Sequence, residues 1–124
     1  MSEQVTRKEI EESVKSYFDL MYDCDVSKFY SVFRDTAQLH GFREGKMTAW
    51  PAAEYKQVLA GRQSPKSLGA SRKEEILLID VASDTQAMAK VRVKINAATF
   101  IDYLTFHKID GQWQITSKAY HLQK

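Results

Sequence analysis

The residues with the most chemical potential sit near the end of the chain: Asp102, Ser117 and His121, with His40 far upstream. Asp110-Gly111 is the strongest two-residue hairpin signal present, because such a pair tolerates the positive φ angles of a tight β-turn. Counting outward from it pairs Ile109 with Gln112, Phe106 with Ile115, Leu104 with Ser117, Asp102 with Ala119 and Phe100 with His121. Phe100, Asp102, Leu104, Phe106, Ile115, Ser117, Ala119 and His121 then share the more apolar face. Tyr103, Thr105, His107, Gln114, Thr116, Lys118 and Tyr120 share the other. On this register Asp102 and His121 are diagonal neighbours with backbones roughly 7–8 Å apart, within reach of a side-chain hydrogen bond. A carboxylate and an imidazole in apolar surroundings must pair or shift their pKa values. Such a pair suits proton transfer or ligand anchoring, with Asp102 holding one ring nitrogen while the other faces a cavity. Its plainer description is a satisfied polar pair that fixes strand register. A Ser117–His121–Asp102 triad is excluded, since residues four apart on one strand are separated by roughly 13 Å and a nucleophile must lie within hydrogen-bond reach of its base.

The remaining candidates carry less chemistry. His40 alternates with Gln38 and Phe42, so its face is open. A metal site built on His40 and His121 needs a third ligand, and neither HxH nor HExxH spacing occurs, so no metal or cofactor is expected. Tyr17, Tyr22, Trp50 and Tyr55 are candidates for a pocket wall, although aromatics at helical spacing also serve as core. The candidate ligand-binding set is therefore Tyr17, His40, Trp50, Tyr55, Asp102 and His121. Trp113, just past the turn, is expected to cap one end of the core. Nothing near Cys24 is arranged to lower its thiol pKa, so it reads as a buried or half-buried side chain. No phosphate loop, dinucleotide fingerprint or nucleophile elbow is present in the sequence.

Two kinds of element must position these residues. Thr6-Arg-Lys-Glu9 has the form of a capping box, and Ile10, Val14, Tyr17, Phe18 and Met21 recur at the spacing of one helical face. This predicts a helix from about Thr6 to Asp23, then a short second helix capped by Asp25 or Ser27 and carrying Phe29, Tyr30, Val32 and Phe33. Ala37 to Phe42 reads as a strand, Glu44-Gly45 as a turn, and Lys46 to Trp50 as a return strand. Pro51 opens a third helix carrying Ala52, Tyr55, Val58 and Leu59, ending near Gly61. Gln63 to Lys73 is a surface loop, and the rest is strand: Glu74 to Ala82, Gln86 to Asn96, Thr99 to Ile109 and Gln112 to Gln123. In the second of these, Ala89, Val91, Val93 and Ile95 alternate with Met88, Lys90, Arg92 and Lys94. Helices in the first half and antiparallel strands in the second imply an α+β domain with helices on one face of the sheet.

Composition bounds the function. The 124 residues are 44% hydrophobic and 11% aromatic, enough for one core and one domain, residues 1–124. Lys plus Arg number 18 and Asp plus Glu 16, a balance that argues against nucleic-acid and anionic-membrane surfaces. One cysteine leaves no internal disulfide. The polar start has no signal-peptide core, and Ile76-Leu-Leu-Ile79 is far short of a membrane span, so a cytoplasmic protein is expected.

The last hairpin also carries a resemblance. Asp102-Tyr103, Lys108-Ile-Asp-Gly111-Gln-Trp113-Gln-Ile115 and Lys118-Ala-Tyr120-His121 resemble the closing hairpin of the nuclear transport factor 2-like superfamily. More narrowly they are similar to its lumazine-binding-like group, near the SnoaL-like small domains. Tyr17-Phe18, Phe29-Tyr30-Ser-Val-Phe33 and Asp35-Thr-Ala37 match in the same order, so the resemblance covers nearly the whole chain. It implies a cystatin-like α+β cone: a curved antiparallel sheet wrapped around a long helix, with a pocket at the open end. Relatives of this kind include ketosteroid isomerase, scytalone dehydratase, polyketide cyclases and many non-catalytic binding domains, so no activity follows from the fold. Two functions stand. One is a small-molecule-binding domain of unknown ligand, forming a homodimer through the outer sheet face with Tyr103, Thr105, Thr116, Lys118 and Tyr120. The other is an isomerase, dehydratase or cyclase using Asp102 and His121 for proton transfer; a purely structural partner domain is a third possibility.

Overall fold

The computed structural model describes residues 2–123. Helix α1 spans Glu3–Asp23 and begins four residues earlier than a capping box at Thr6 implies, counting from Thr6 back to the cap residue Ser2. Ser2 caps it, its hydroxyl accepting from the Val5 amide at 3.2 Å. Thr6 lies buried inside the helix, and Glu9 is drawn away to accept from the Trp113 indole at 2.8 Å. Cys24 ends the helix in the left-handed conformation, its amide donating to the Leu20 carbonyl at 2.8 Å. Its thiol is half-buried, and desolvation pushes its pKa up. One 3₁₀ turn, Val26–Lys28, leads into the short α2, Phe29–Val32.

Strand β1 starts at once, Phe33–Arg43, and turns through Glu44-Gly45, both at positive φ, into β2, Lys46–Pro51. Helix α3 follows over Ala52–Gly61, then β3 Glu74–Val81, β4 Gln86–Ile95, β5 Ala98–Ile109 and β6 Gln112–Gln123. The strands form one six-stranded sheet in the order β2-β1-β6-β5-β4-β3. Strand β1 pairs antiparallel with β2, and β3 to β6 form an antiparallel meander, with β2 and β3 at opposite edges, but β1 and β6 run parallel, a departure from the purely antiparallel expectation. The β3–β6 meander folds back so that the last strand lies beside the first, which no local sequence signal reports.

The core lies between the helices and one face of this sheet. Ile10, Val14, Tyr17, Phe18 and Met21 of α1 are buried together with Ala89, Val91, Val93 and Ile95 of β4, the faces that the 3.6- and 2-residue periods select. Phe29 stacks on Phe33 with ring centroids 4.9 Å apart, fixing α2 against the start of β1. Trp113 is buried within the core cluster.

Asp110 and Gly111 both have positive φ and form the expected two-residue turn. The register holds from Ile109↔Gln112 to Phe106↔Ile115, and then a β-bulge at Thr116 shifts it by one, so that Thr105 faces Ser117. Beyond the bulge Asp102 faces Tyr120 and Ile101 faces His121. A one-residue slip exchanges the two faces of a strand. Lys118 and Tyr120 therefore turn to the helix side with Asp102, and His121 turns outward.

Candidate functional site

Asp102 is the chemical centre of the helix-covered face. It sits in the middle of β5, 1% exposed, among apolar neighbours. Tyr17, one of the core residues of α1, donates its phenol to Asp102 Oδ2. Burial first, and the adjacent Asp102 carboxylate next, push the Tyr17 pKa well above the ordinary tyrosine value. The phenol thus stays a donor. Lys118, brought inward by the bulge and only 4% exposed, lies 3.9 Å from the same carboxylate oxygen. Its ammonium donates to Tyr55 Oη at 3.1 Å and stands over the rings of Tyr55 and Tyr17, at 4.8 and 5.1 Å from their centroids. The other oxygen, Asp102 Oδ1, is buried and has no hydrogen-bond partner among the described residues.

A cleft opens over these groups, walled by Trp50, Tyr55, Phe100, Tyr120, Val58 and Ile95, with Arg43, Arg62, Asp102 and Lys118 as its charged lining. It is a small, partly open cavity of about 40 Å³. That is room for a few waters or for one end of a small molecule. Tyr120 reaches the lining because Gly41 on β1 has no side chain: a Cβ there would stand 2.6 Å from the Tyr120 ring. The Tyr120 hydroxyl bonds Thr48 and accepts from the Trp50 indole at 3.3 Å, while Thr48 donates to the Gly41 carbonyl at 2.8 Å. These contacts hold the β1–β2 hairpin and β6 as one rigid wall.

Of the residues singled out in the sequence, Trp50, Tyr55 and Asp102 line this cleft, and Tyr17 lies directly beneath through its bond to Asp102. His121 and His40 do not join them. His121 is exposed beside Ile101 and Tyr103 on the outer face of the sheet. His40 is exposed and paired with Ala49 and Ala119, while Leu39 and Gly41 on either side of it are buried. The expected Asp102–His121 pair is not formed, and its cause is the extra residue at Thr116. The same bulge removes Lys118 and Tyr120 from the expected outer face; Tyr103 and Thr105 remain there. Sequence reasoning missed Lys118, Tyr120, Phe100, Arg43 and Arg62. One signal was present for β6: after Ile115 the set Tyr120 and Leu122 is more apolar than His121 and Gln123, which marks a change of phase.

Among the described residues no group of three or more His, Cys, Asp or Glu is placed to hold a metal ion. No described helix is long and apolar enough to cross a membrane.

Comparison with solved structures places this geometry on a known scaffold. An NTF2-like protein of unknown function from Shewanella baltica OS155 is 23% identical with a TM-score of 0.88, covering 100% of this chain and 98% of its own. Its counterpart from Silicibacter pomeroyi DSS-3 is 21% identical with a TM-score of 0.86, over 99% of this chain and 100% of its own. A ketosteroid isomerase-like protein from Erwinia carotovora atroseptica SCRI1043 is 14% identical with a TM-score of 0.71, over 94% and 95%. At these identities the likeness is one of fold. Comparison with curated proteins gives no match. The family described as “Putative lumazine-binding” matches residues 5–121, nearly the whole chain, and the chain belongs to that family.

Proposed function

We propose that the protein is a small-molecule-binding domain whose ligand enters the cleft above Asp102. One observation carries this reading: Asp102, 1% exposed and with one carboxylate oxygen unpartnered among the described residues, belongs to the lining of an aromatic-walled cleft. A buried acceptor left unpaired costs about 1–3 kcal/mol, and a concave site with aromatic walls and a few converging polar groups is the usual form of a ligand pocket. Family membership supports the same class of function. The test is thermal-shift screening of a small-molecule library, with hits repeated on Trp50→Phe and Asp102→Asn. Hits weakened by both variants support the reading; hits indifferent to both, or no hits at all, refute it.

A second reading is proton-transfer catalysis of the isomerase, dehydratase or cyclase kind. The bond from Tyr17 to Asp102 Oδ2 favours it, because it leaves Oδ1 free to take a proton from a substrate. In this form Asp102 is the base and no histidine takes part. Turnover abolished by Asp102→Asn with ligand affinity retained would distinguish catalysis from binding alone.

The outer sheet face is the proposed homodimer surface. It exposes Tyr103, Phe42 and Met47, and Tyr103 lines a depression there with Ile101, Ala119 and His121. Sedimentation equilibrium at micromolar concentration decides it: a monomer throughout refutes the dimer, and Tyr103→Lys should weaken one that exists.

A further inference from the structure

We propose that the cleft takes a compact monoanion, a single-ring carboxylate that also carries an O–H or N–H donor. The inference rests on the reading of the cleft as a ligand site and adds the chemistry of the ligand.

Two residues of the cleft lining each carry a buried atom with no hydrogen-bond partner among the described residues: Asp102 Oδ1, an acceptor, and Arg62 Nη1, a donor. Buried polar groups are nearly always satisfied. One molecule offering both an acceptor and a donor satisfies the two at once. Charge selects the acceptor. Arg43, Arg62 and Lys118 face a single carboxylate, Asp102, so the lining carries an excess of two positive charges. Lys118 and the Tyr17 phenol already attend Asp102. Among the described residues neither Arg43 nor Arg62 has an ion-pair partner. Arg43 is exposed and Arg62 half-buried, so the half-buried Arg62 guanidinium is the stronger anchor for an anionic oxygen, and a guanidinium matches the two oxygens of a carboxylate.

Size and wall chemistry select the body. This small, partly open cavity admits a carboxylate and the edge of one ring, with the remainder against Trp50, Phe100 and Tyr120. An inorganic anion leaves the aromatic wall unused, and a fully ionised one brings no hydrogen to Asp102 Oδ1.

The test is isothermal titration calorimetry with the three positional isomers of hydroxybenzoate, the matching hydroxybenzamides and benzoate. Wild type, Arg62→Gln, Arg62→Lys and Asp102→Asn are compared, with circular dichroism melts to verify that each is folded. At least one hydroxybenzoate should bind roughly tenfold or more tighter than its amide. Arg62→Gln should erase that preference and Arg62→Lys should restore part of it. Asp102→Asn should narrow the advantage of the hydroxy acid over benzoate. Amides binding as tightly as the acids overturn the monoanion while leaving the cleft as a ligand site. Failure of every acid to bind also overturns it. In that case neutral library hits sensitive to Trp50→Phe keep the broader reading, and their absence removes both.

Discussion

The ring of Tyr120 lies against the backbone of Gly41, with the Tyr120 carbonyl oxygen 2.5 Å from where a Gly41 Cβ would be. No larger residue fits without separating β1 from β6, the one parallel pairing in the sheet. The cleft wall formed by Tyr120, Trp50 and Thr48 depends on that approach. Gly41→Ala should lower stability by about 1–3 kcal/mol, the usual cost of overpacking a filled site. A reduced urea midpoint with an unchanged m-value checks this; a midpoint equal to wild type contradicts it.

The Tyr17 phenol should resist ionisation. Burial and the Asp102 carboxylate raise its pKa in the folded state, whereas in the unfolded chain it ionises near pH ~10. Its contribution to stability is therefore fully present below about pH 10 and is lost as the pH rises toward the folded-state value. In an absorbance titration at alkaline pH, one of the six tyrosines should ionise only with unfolding. Tyr17→Phe should remove that late step. Unchanged alkaline behaviour in Tyr17→Phe would contradict the assignment.

Asp102 and Lys118 should behave as a coupled pair. Removing one member of a buried ion pair leaves the other uncompensated, typically at about 3–5 kcal/mol. Lys118→Met alone should therefore be severely destabilised, and the double variant Asp102→Asn/Lys118→Met should recover much of the loss. A double-mutant cycle in denaturant measures the coupling, and strict additivity would show that the pair does not interact.

Glu9 should titrate below an ordinary glutamate. The Trp113 indole hydrogen bond is the largest cause; desolvation, next in size, opposes it, and Lys108 adds to the lowering. Its stabilising contribution is present above the unfolded-state value of about 4.3 and is lost as the pH falls through the lower folded value. The Trp113 indole N–H resonance should report that midpoint, which Lys108→Met should move upward. A midpoint at the ordinary value would contradict the contact.

Much of the fold was legible because its signals are local. The period of Ile10, Val14, Tyr17, Phe18 and Met21 selects the buried face of α1. The alternation of Ala89, Val91, Val93 and Ile95 does the same for β4, and Asp110-Gly111 marks the last turn. Part of what was not legible is non-local. The parallel pairing of β1 with β6 depends on the return of the whole meander. The bulge at Thr116, by contrast, lies within the hairpin, where Thr116 and His107 bond at 2.6 Å, and was not legible because the turn residues set the register only near the turn. That single extra residue exchanges Lys118 and Tyr120 for His121 on the inner face. It also changes the chemistry of the site from a carboxylate–imidazole pair to a carboxylate flanked by a phenol and an ammonium.

The central claim, that ligands enter the cleft above Asp102, has a built-in control in the two tryptophans. The Trp50 indole lines the cleft and bonds Tyr120, whereas the Trp113 indole bonds Glu9 away from it. In ¹H–¹⁵N correlation spectra of the whole protein titrated with library hits, the Trp50 indole resonance should move in a saturable way and the Trp113 resonance should stay fixed. Equal movement of both, or movement of Trp113 alone, would contradict the account.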